Sequence, residues 1–117
     1  ERLIHALTSR RTALQDQVVP GWAQLRAERP VSRANALRQL AAAARYRADT
    51  AAPSDPVLLL GSSGDGLVHA GCTAAIASAW GCARASHPTA GHDLPLDAPD
   101  WVVRQVCAWM GGGALKS

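Results

Sequence analysis

Large aromatic side chains are scarce in this chain of 117 residues. Phe is absent, Tyr and Met occur once each, and the four Trp are the only other large anchors. The hydrophobic fraction of 48% is nevertheless that of a globular domain, so Ala, Leu and Val have to fill the interior. A chain of this length predicts one domain, residues 1–117, with room for a real but small core.

Cysteines and long apolar runs are limited as well. The three Cys cannot all pair within one chain, and none belongs to a C-x-x-C motif, which excludes a disulfide scaffold and a paired-cysteine zinc site. We expect them to be reduced and mostly buried, in a cytoplasmic protein. No apolar stretch approaches the roughly 18–20 residues of a membrane span, and no signal peptide is recognisable, so no membrane partner is expected.

Positive charge is concentrated in the first part of the chain. Residues 1–50 contain nine Arg against four acidic residues, whereas residues 51–117 carry a net negative charge. An Arg-rich half could contact nucleic acid. However, the Arg side chains are dispersed along helical repeats, without a basic run or an aromatic stacking platform. This pattern favours solvated helix surfaces, and no nucleic-acid partner is expected.

The first fifty residues are predicted to be helical. Apolar residues recur near a period of 3.6 in residues 2–17, where Thr8 and Ser9 could interrupt the helix. The further predicted features are a restart of the chain at Pro20–Gly21, a short helix at 21–29 ended by Pro30, an N-cap at Ser32, a helix at 33–47 and a linker at 49–56.

Residues 56–111 are predicted to form a β-α-β-α unit. Its elements are a strand at 57–60 buried on both faces, a helix at 70–80 closed by Gly81, a strand at 82–87, and a last helix with Asp97 as N-cap. The two strands should be parallel, and so small a sheet needs cover on its faces and leaves its edges unpaired. We therefore expect an α/β fold in which the N-terminal helices pack on this unit and an obligate homo-oligomer completes the sheet.

An acid and a base follow the two predicted strands. Asp65 lies in the loop after the first strand, and His92 lies in the loop after the second. Because the carboxyl ends of parallel strands meet at one edge of a sheet, the two side chains should lie close together. A carboxylate that orients an imidazole is a common acid–base pair of hydrolytic enzymes.

The same segments resemble a known family. The string Pro56-Val-Leu-Leu-Leu-Gly-Ser-Ser-Gly-Asp-Gly-Leu-Val-His69 is similar to the penultimate strand and acid loop of bacterial α/β-hydrolase-fold esterases. The string His87-Pro-Thr-Ala-Gly-His-Asp-Leu-Pro-Leu-Asp-Ala-Pro-Asp-Trp101 resembles the loop that carries their catalytic His, and residues 28–40 resemble the helical stretch before that strand. The resemblance implies the second half of an α/β-hydrolase fold, with Asp65 as the triad acid and His92 as the general base.

The nucleophile of that family has no counterpart in this sequence. No Gly-x-Ser-x-Gly occurs, and in the nearest string, 61–65, Asp65 replaces the last Gly. Ser62 and Ser63 stand on the loop that normally presents the acid, which makes them poor nucleophiles. The predicted activity is hydrolysis of an activated ester or similar small substrate, with no cofactor and with water or a residue of a partner chain as nucleophile.

Two alternatives remain open at this point. Zinc could activate the water if the imidazoles and carboxylates at the sheet edge gather around it. The candidate ligands are His69, His87, His92, Asp65 and Asp93. The other alternative is a non-catalytic half-domain that self-associates or complements a hydrolase.

Overall fold

A computed structural model describes residues 1–47 and 51–112 and shows a mixed α/β fold. The helices are α1 (Arg2–Thr8), α2 (Gln15–Glu28), α3 (Arg33–Arg45), α4 (Ala70–Trp80), α5 (Leu94–Asp97) and α6 (Pro99–Met110); a 3₁₀ turn at Thr12–Leu14 precedes α2, and the strands are β1 (Leu58–Ser62) and β2 (Ala83–His87). Within the described ranges, no helix combines the length and the apolar character that crossing a membrane requires.

The two strands form a small parallel sheet, as the sequence predicts. Leu58 lies opposite Ala83 and Ser62 lies opposite His87, with α4 connecting β1 to β2. Helices α4 and α6 pack on the strands. The apolar residues of β1 are half-buried and not buried on both faces as predicted, because a sheet of two strands offers each side chain few neighbours.

Helix α4 has the boundaries that its sequence predicts. His69 precedes it, and the Nδ1 atom of His69 accepts a hydrogen bond of 3.1 Å from Gly71 N–H. Gly81 ends it in the left-handed conformation, with a φ of 61°, which favours glycine. At Gly61 a Cβ atom would lie 3.1 Å from Thr73 Oγ1, so the glycine allows β1 to approach α4 closely.

The N-terminal helices differ from the prediction at one point. The expected break at Thr8 and Ser9 is confirmed, because α1 ends at Thr8. The expected restart at Pro20–Gly21 is wrong, since α2 continues through both residues. Proline removes only one N–H donor from the helix. Beyond Pro20, Trp22 packs on α1, and the Trp22 ring centroid lies 5.9 Å from that of His5. Tertiary packing thus favours one continuous helix.

Helix α3 is defined by its local sequence more than by packing. Ser32 is its N-cap as predicted, with Oγ accepting a hydrogen bond of 3.2 Å from Asn35 N–H. The helix ends at Arg45, two residues before the predicted end, and none of its residues is buried. Of the predicted linker 49–56, residues 49 and 50 lie outside the described residues.

The buried core of the β-α-β-α unit lies next to the loop that follows β2. Its buried residues are Ala85, Ala90, Leu94 and Trp101, against which Leu60, Ala98 and Val102 pack. Trp101 is surrounded mainly by small side chains. Such a core is expected for a sequence with few aromatic residues. The cysteines lie outside this core. All three are free, but Cys72 and Cys107 are exposed. The prediction of mostly buried cysteines is therefore wrong. The reason is that α4 and α6 have outer faces that nothing in the described part of the chain covers.

Asp97 has a different role from the predicted one. Helix α6 begins at Pro99, its N-cap is Ala98, and no side chain caps it. The Asp97 carboxylate instead accepts hydrogen bonds from Ser9 Oγ, from Arg10 N–H at 2.7 Å and from Gly91 N–H at 2.6 Å. Partial burial raises the pKa of this carboxyl, but the hydrogen bonds outweigh burial and the net pKa lies below its ordinary value. Asp97 therefore joins the N-terminal segment to the loop after β2.

Replacing Asp97 tests how much this connection contributes to the stability of the fold. In Asp97→Asn the amide has one acceptor oxygen for three donors, so we expect a loss of about 3 kcal/mol in the free energy of unfolding, measured by urea denaturation at pH 7. Because the carboxyl pKa is depressed in the folded state, its stabilisation is present above the unfolded pKa and is lost as the pH falls through the folded pKa. The difference between wild type and variant should therefore shrink below about pH 4.

The matched control is Asp55→Asn, at an exposed carboxylate of the loop before β1. We expect it to change the free energy of unfolding by less than about 0.5 kcal/mol. Equal effects of the two substitutions, or a difference that does not depend on pH, would contradict the role assigned to Asp97.

Candidate active site

The structure brings Asp65 and His92 into direct contact at the carboxyl edge of the sheet. His92 Nδ1 lies 2.8 Å from Asp65 Oδ2. Because an ionised carboxylate can only accept, Nδ1 carries the proton, and Nε2 is the nitrogen left free to act as a base. The His92 side chain is 42% exposed and that of Asp65 only 12%. A shielded carboxylate thus orients an imidazole that faces solvent.

Backbone donors fix the carboxylate of Asp65. Its Oδ1 atom accepts hydrogen bonds from Leu67 N–H at 2.8 Å and from Val68 N–H at 2.9 Å, which leaves Oδ2 for His92. Partial burial raises the pKa of the Asp65 carboxyl, but the bonds from Val68, His92 and Leu67 outweigh it, and the net pKa lies below the ordinary value. The carboxylate is therefore ionised at neutral pH and can stabilise a positive charge on the imidazole.

The backbone on both sides of His92 is held by other parts of the chain. Asp93 N–H donates to Thr8 O at 2.8 Å, and Gly91 N–H donates to the Asp97 carboxylate. A Cβ atom at Gly91 would lie 2.5 Å from Thr8 O, so only glycine allows this close approach. The imidazole consequently projects from a loop whose position is fixed at the residues immediately before and after it.

One short segment that the sequence analysis did not single out as functional holds both loops. Residues 8–10 contact the His92 loop through Thr8 O and the Asp97 bridge, and they contact the Asp65 loop through Arg10 Nε, which donates to Gly64 O at 2.9 Å. The only signal in the sequence is the interruption of the helical pattern at Thr8 and Ser9. That signal predicts a turn, but it does not reveal what the turn contacts.

Ser62 is occupied by structural bonds. It is 4% exposed, its Oγ lies 2.6 Å from Ala90 O and 3.0 Å from His87 O, and it accepts a bond from Gly64 N–H. The hydroxyl thus ties the end of β1 to the loop that carries His92. This arrangement agrees with the expectation that Ser62 is a poor nucleophile. Ser63 is exposed, and its N–H donates to His87 O at 2.9 Å.

Two of the proposed zinc ligands, His69 and His87, are engaged in other contacts. His69 Nδ1 caps α4, and His87 Nδ1 accepts bonds from Ala90 N–H at 2.9 Å and Thr89 N–H at 3.2 Å. The His87 ring also lies edge-on to Trp101 at 5.2 Å. In residues 1–47 and 51–112, no three His, Cys, Asp or Glu side chains form a group that could hold a metal ion. Zinc activation stays a prediction.

A groove of about 440 Å³ lies beside His92. The residues that line it are Glu1, Ile4, Thr8, Trp22, His92 and Asp93. It lies between α1, α2 and the loop after β2, so the N-terminal helices form one side and the His92 imidazole the other. A substrate bound there would have its reacting group beside His92.

Comparison of the chain with protein-family models, with curated proteins and with solved structures finds no match. Its function has to be inferred from the site itself.

The coupling between the two side chains can be measured without any substrate. In His92→Ala the Asp65 carboxylate loses a hydrogen bond and a neighbouring charge that lower its pKa, so we expect the pKa of Asp65 to rise. The measurement is a carboxyl ¹³C NMR titration of the two proteins. His69→Ala removes an imidazole that does not contact Asp65 and should leave the titration of Asp65 where it is. A titration of Asp65 that is the same in His92→Ala as in wild type would contradict the contact.

Proposed function

We propose that this protein hydrolyses small activated esters, with His92 as general base and Asp65 as its orienting partner. The observation that carries the proposal is the 2.8 Å contact between His92 Nδ1 and Asp65 Oδ2, which directs Nε2 away from the carboxylate on a half-exposed side chain next to a groove. Paired acid and base groups in a concave site are the usual components of hydrolytic catalysis.

The proposed reaction uses water as the nucleophile. Water attacks the ester carbonyl carbon while Nε2 of His92 accepts its proton, and the Asp65 carboxylate stabilises the imidazolium that forms. The tetrahedral intermediate then loses its alcohol: the carbon–oxygen bond breaks, and the proton on Nε2 passes to the leaving oxygen. The products are a carboxylic acid and an alcohol, and the base is regenerated.

Water is favoured over Ser62, whose hydroxyl is not available. Ser62 Oγ is buried and hydrogen-bonded to Ala90 O. General-base catalysis alone contributes about 10²–10⁴-fold, which is enough for esters with good leaving groups but small for ordinary alkyl esters. The resemblance to the second half of the α/β-hydrolase fold supports the same roles for Asp65 and His92, and we propose that relationship as well.

Turnover of p-nitrophenyl acetate tests the assignment. We expect His92→Ala to reduce the enzyme-dependent rate at least about 100-fold, because the general base is lost. Asp65→Asn should lower kcat about ten-fold or more, because the amide can neither stabilise the imidazolium nor hold the same tautomer. His69→Ala, at the cap of α4, is the matched control and should retain the rate.

Two results would overturn the proposal. One is a rate that does not respond to either substitution, which would leave a structural role for the pair. The other is loss of turnover on chelation with recovery on added Zn²⁺, which would assign the water activation to a metal.

We also propose that the chain self-associates. The two-stranded sheet has half-buried strands, and in the described part of the chain no further strand covers its outer edges. Helix α3, whose Leu37 and Leu40 are each 66% exposed, offers a further surface. Light scattering at micromolar concentration should give a mass above that of one chain, and a folded monomer would contradict this proposal.

A further inference from the structure

The groove beside His92 has an aromatic wall. Trp22 of α2 and Ile4 of α1 line it, and the Trp22 ring is positioned by His5, which is 1% exposed and lies 5.9 Å away between ring centroids. Indole is the aromatic side chain that attracts cations best, through the negative potential of its face. An apolar wall of this kind accepts either a hydrocarbon group or a weakly hydrated cation.

The charge in the groove separates these two possibilities. Its two carboxylates belong to Glu1 and Asp93, and none of the described residues that line it is Lys or Arg. Glu1 is paired with Arg26 at 3.3 Å. The side chain of Asp93 caps no helix and makes no hydrogen bond or ion pair in the described part of the chain. One uncompensated negative charge therefore lies next to the proposed base.

We propose that this groove selects esters that carry a quaternary ammonium group, which contacts Trp22 and Asp93 while the ester carbonyl lies at His92; this substrate class rests on the proposed esterase function. An anionic ester is repelled by Asp93, and a neutral ester gains only the apolar wall. The volume of about 440 Å³ suits one small molecule. Trp22 and Asp93 are thus specificity-determining residues, whereas His92 carries the chemistry.

Matched substrates that differ in one charge test the selection. The p-nitrophenyl esters of 4-(trimethylammonio)butanoic acid and of 5,5-dimethylhexanoic acid have the same shape and leaving group, but only the first is cationic. We expect kcat/KM to be about ten-fold higher for the cationic ester, from one exposed ion pair plus one cation–π contact. In Asp93→Asn the ratio of the two values should fall to about one to three, and Trp22→Leu should also lower it.

The control for charge is Asp100→Asn, an exposed carboxylate in the first turn of α6 that does not line the groove. It should leave the ratio of the two kcat/KM values at its wild-type level. Equal kcat/KM for the two esters in wild type, or a ratio that Asp93→Asn and Asp100→Asn change alike, would overturn the proposal.

Binding of a small quaternary ammonium ion separates this inference from the esterase function. Choline and its uncharged isostere 3,3-dimethylbutan-1-ol are compared by saturation-transfer NMR on the wild-type protein. We expect choline to bind about ten-fold more tightly, and Asp93→Asn to reduce this ratio to about one to three. If no ester is hydrolysed but choline binding shows this pattern, the proposed function fails and the ammonium site stands. If the isostere binds as well as choline, the ammonium site is refuted whether or not esters are hydrolysed.

Discussion

The Asp97 carboxylate connects two parts of the chain that are far apart in sequence. It accepts hydrogen bonds from Ser9 and Arg10, which follow α1, and from Gly91, which immediately precedes His92. Charge-assisted bonds to backbone N–H groups are among the stronger polar interactions in proteins. The small-residue core beneath contributes little directional information, because Ala85 and Ala90 bury few atoms. The position of the candidate base therefore depends on polar contacts more than on apolar packing.

The pairing of Asp65 with His92 depends on the same kind of contact. An ion pair at a solvent-exposed site is worth little by itself, commonly less than about 1 kcal/mol. Here the carboxylate is fixed independently by the N–H groups of Leu67 and Val68, and the imidazole projects from a loop held at both neighbouring residues. The pair is thus preorganised by the backbone, which reduces the reorganisation needed when a proton moves to the imidazole. The groove lies beside this oriented imidazole.

The sequence predicted the β-α-β part of the fold because its signals are local. An apolar run, a helix closed by Gly81 and a second short apolar segment suffice to place two parallel strands, and parallel strands bring the following loops to one edge. The contact between Asp65 and His92 follows from that topology. The N-cap prediction for Asp97 is wrong because the local pattern before Pro99 is a good cap signal, while two of its three partners, Ser9 and Arg10, lie almost ninety positions earlier. The groove was not predicted, because Ile4 and Trp22 meet only through the packing of α1 on α2. The predicted break at Pro20 is wrong for the same reason, since tertiary contacts outweigh the local effect of a helix breaker.

Residues 8–10 contact the loops of both Asp65 and His92, which links the local stability of the two loops. Helix α1 has seven residues, and its apolar side chains Leu3, Ile4 and Leu7 are largely exposed. Short elements with little buried surface open in local fluctuations that require far less free energy than global unfolding. Since this one segment contacts the loops of both Asp65 and His92, an opening of α1 weakens the support of both loops at once. The stability of the pair is therefore coupled to that of α1 as well as to that of the sheet.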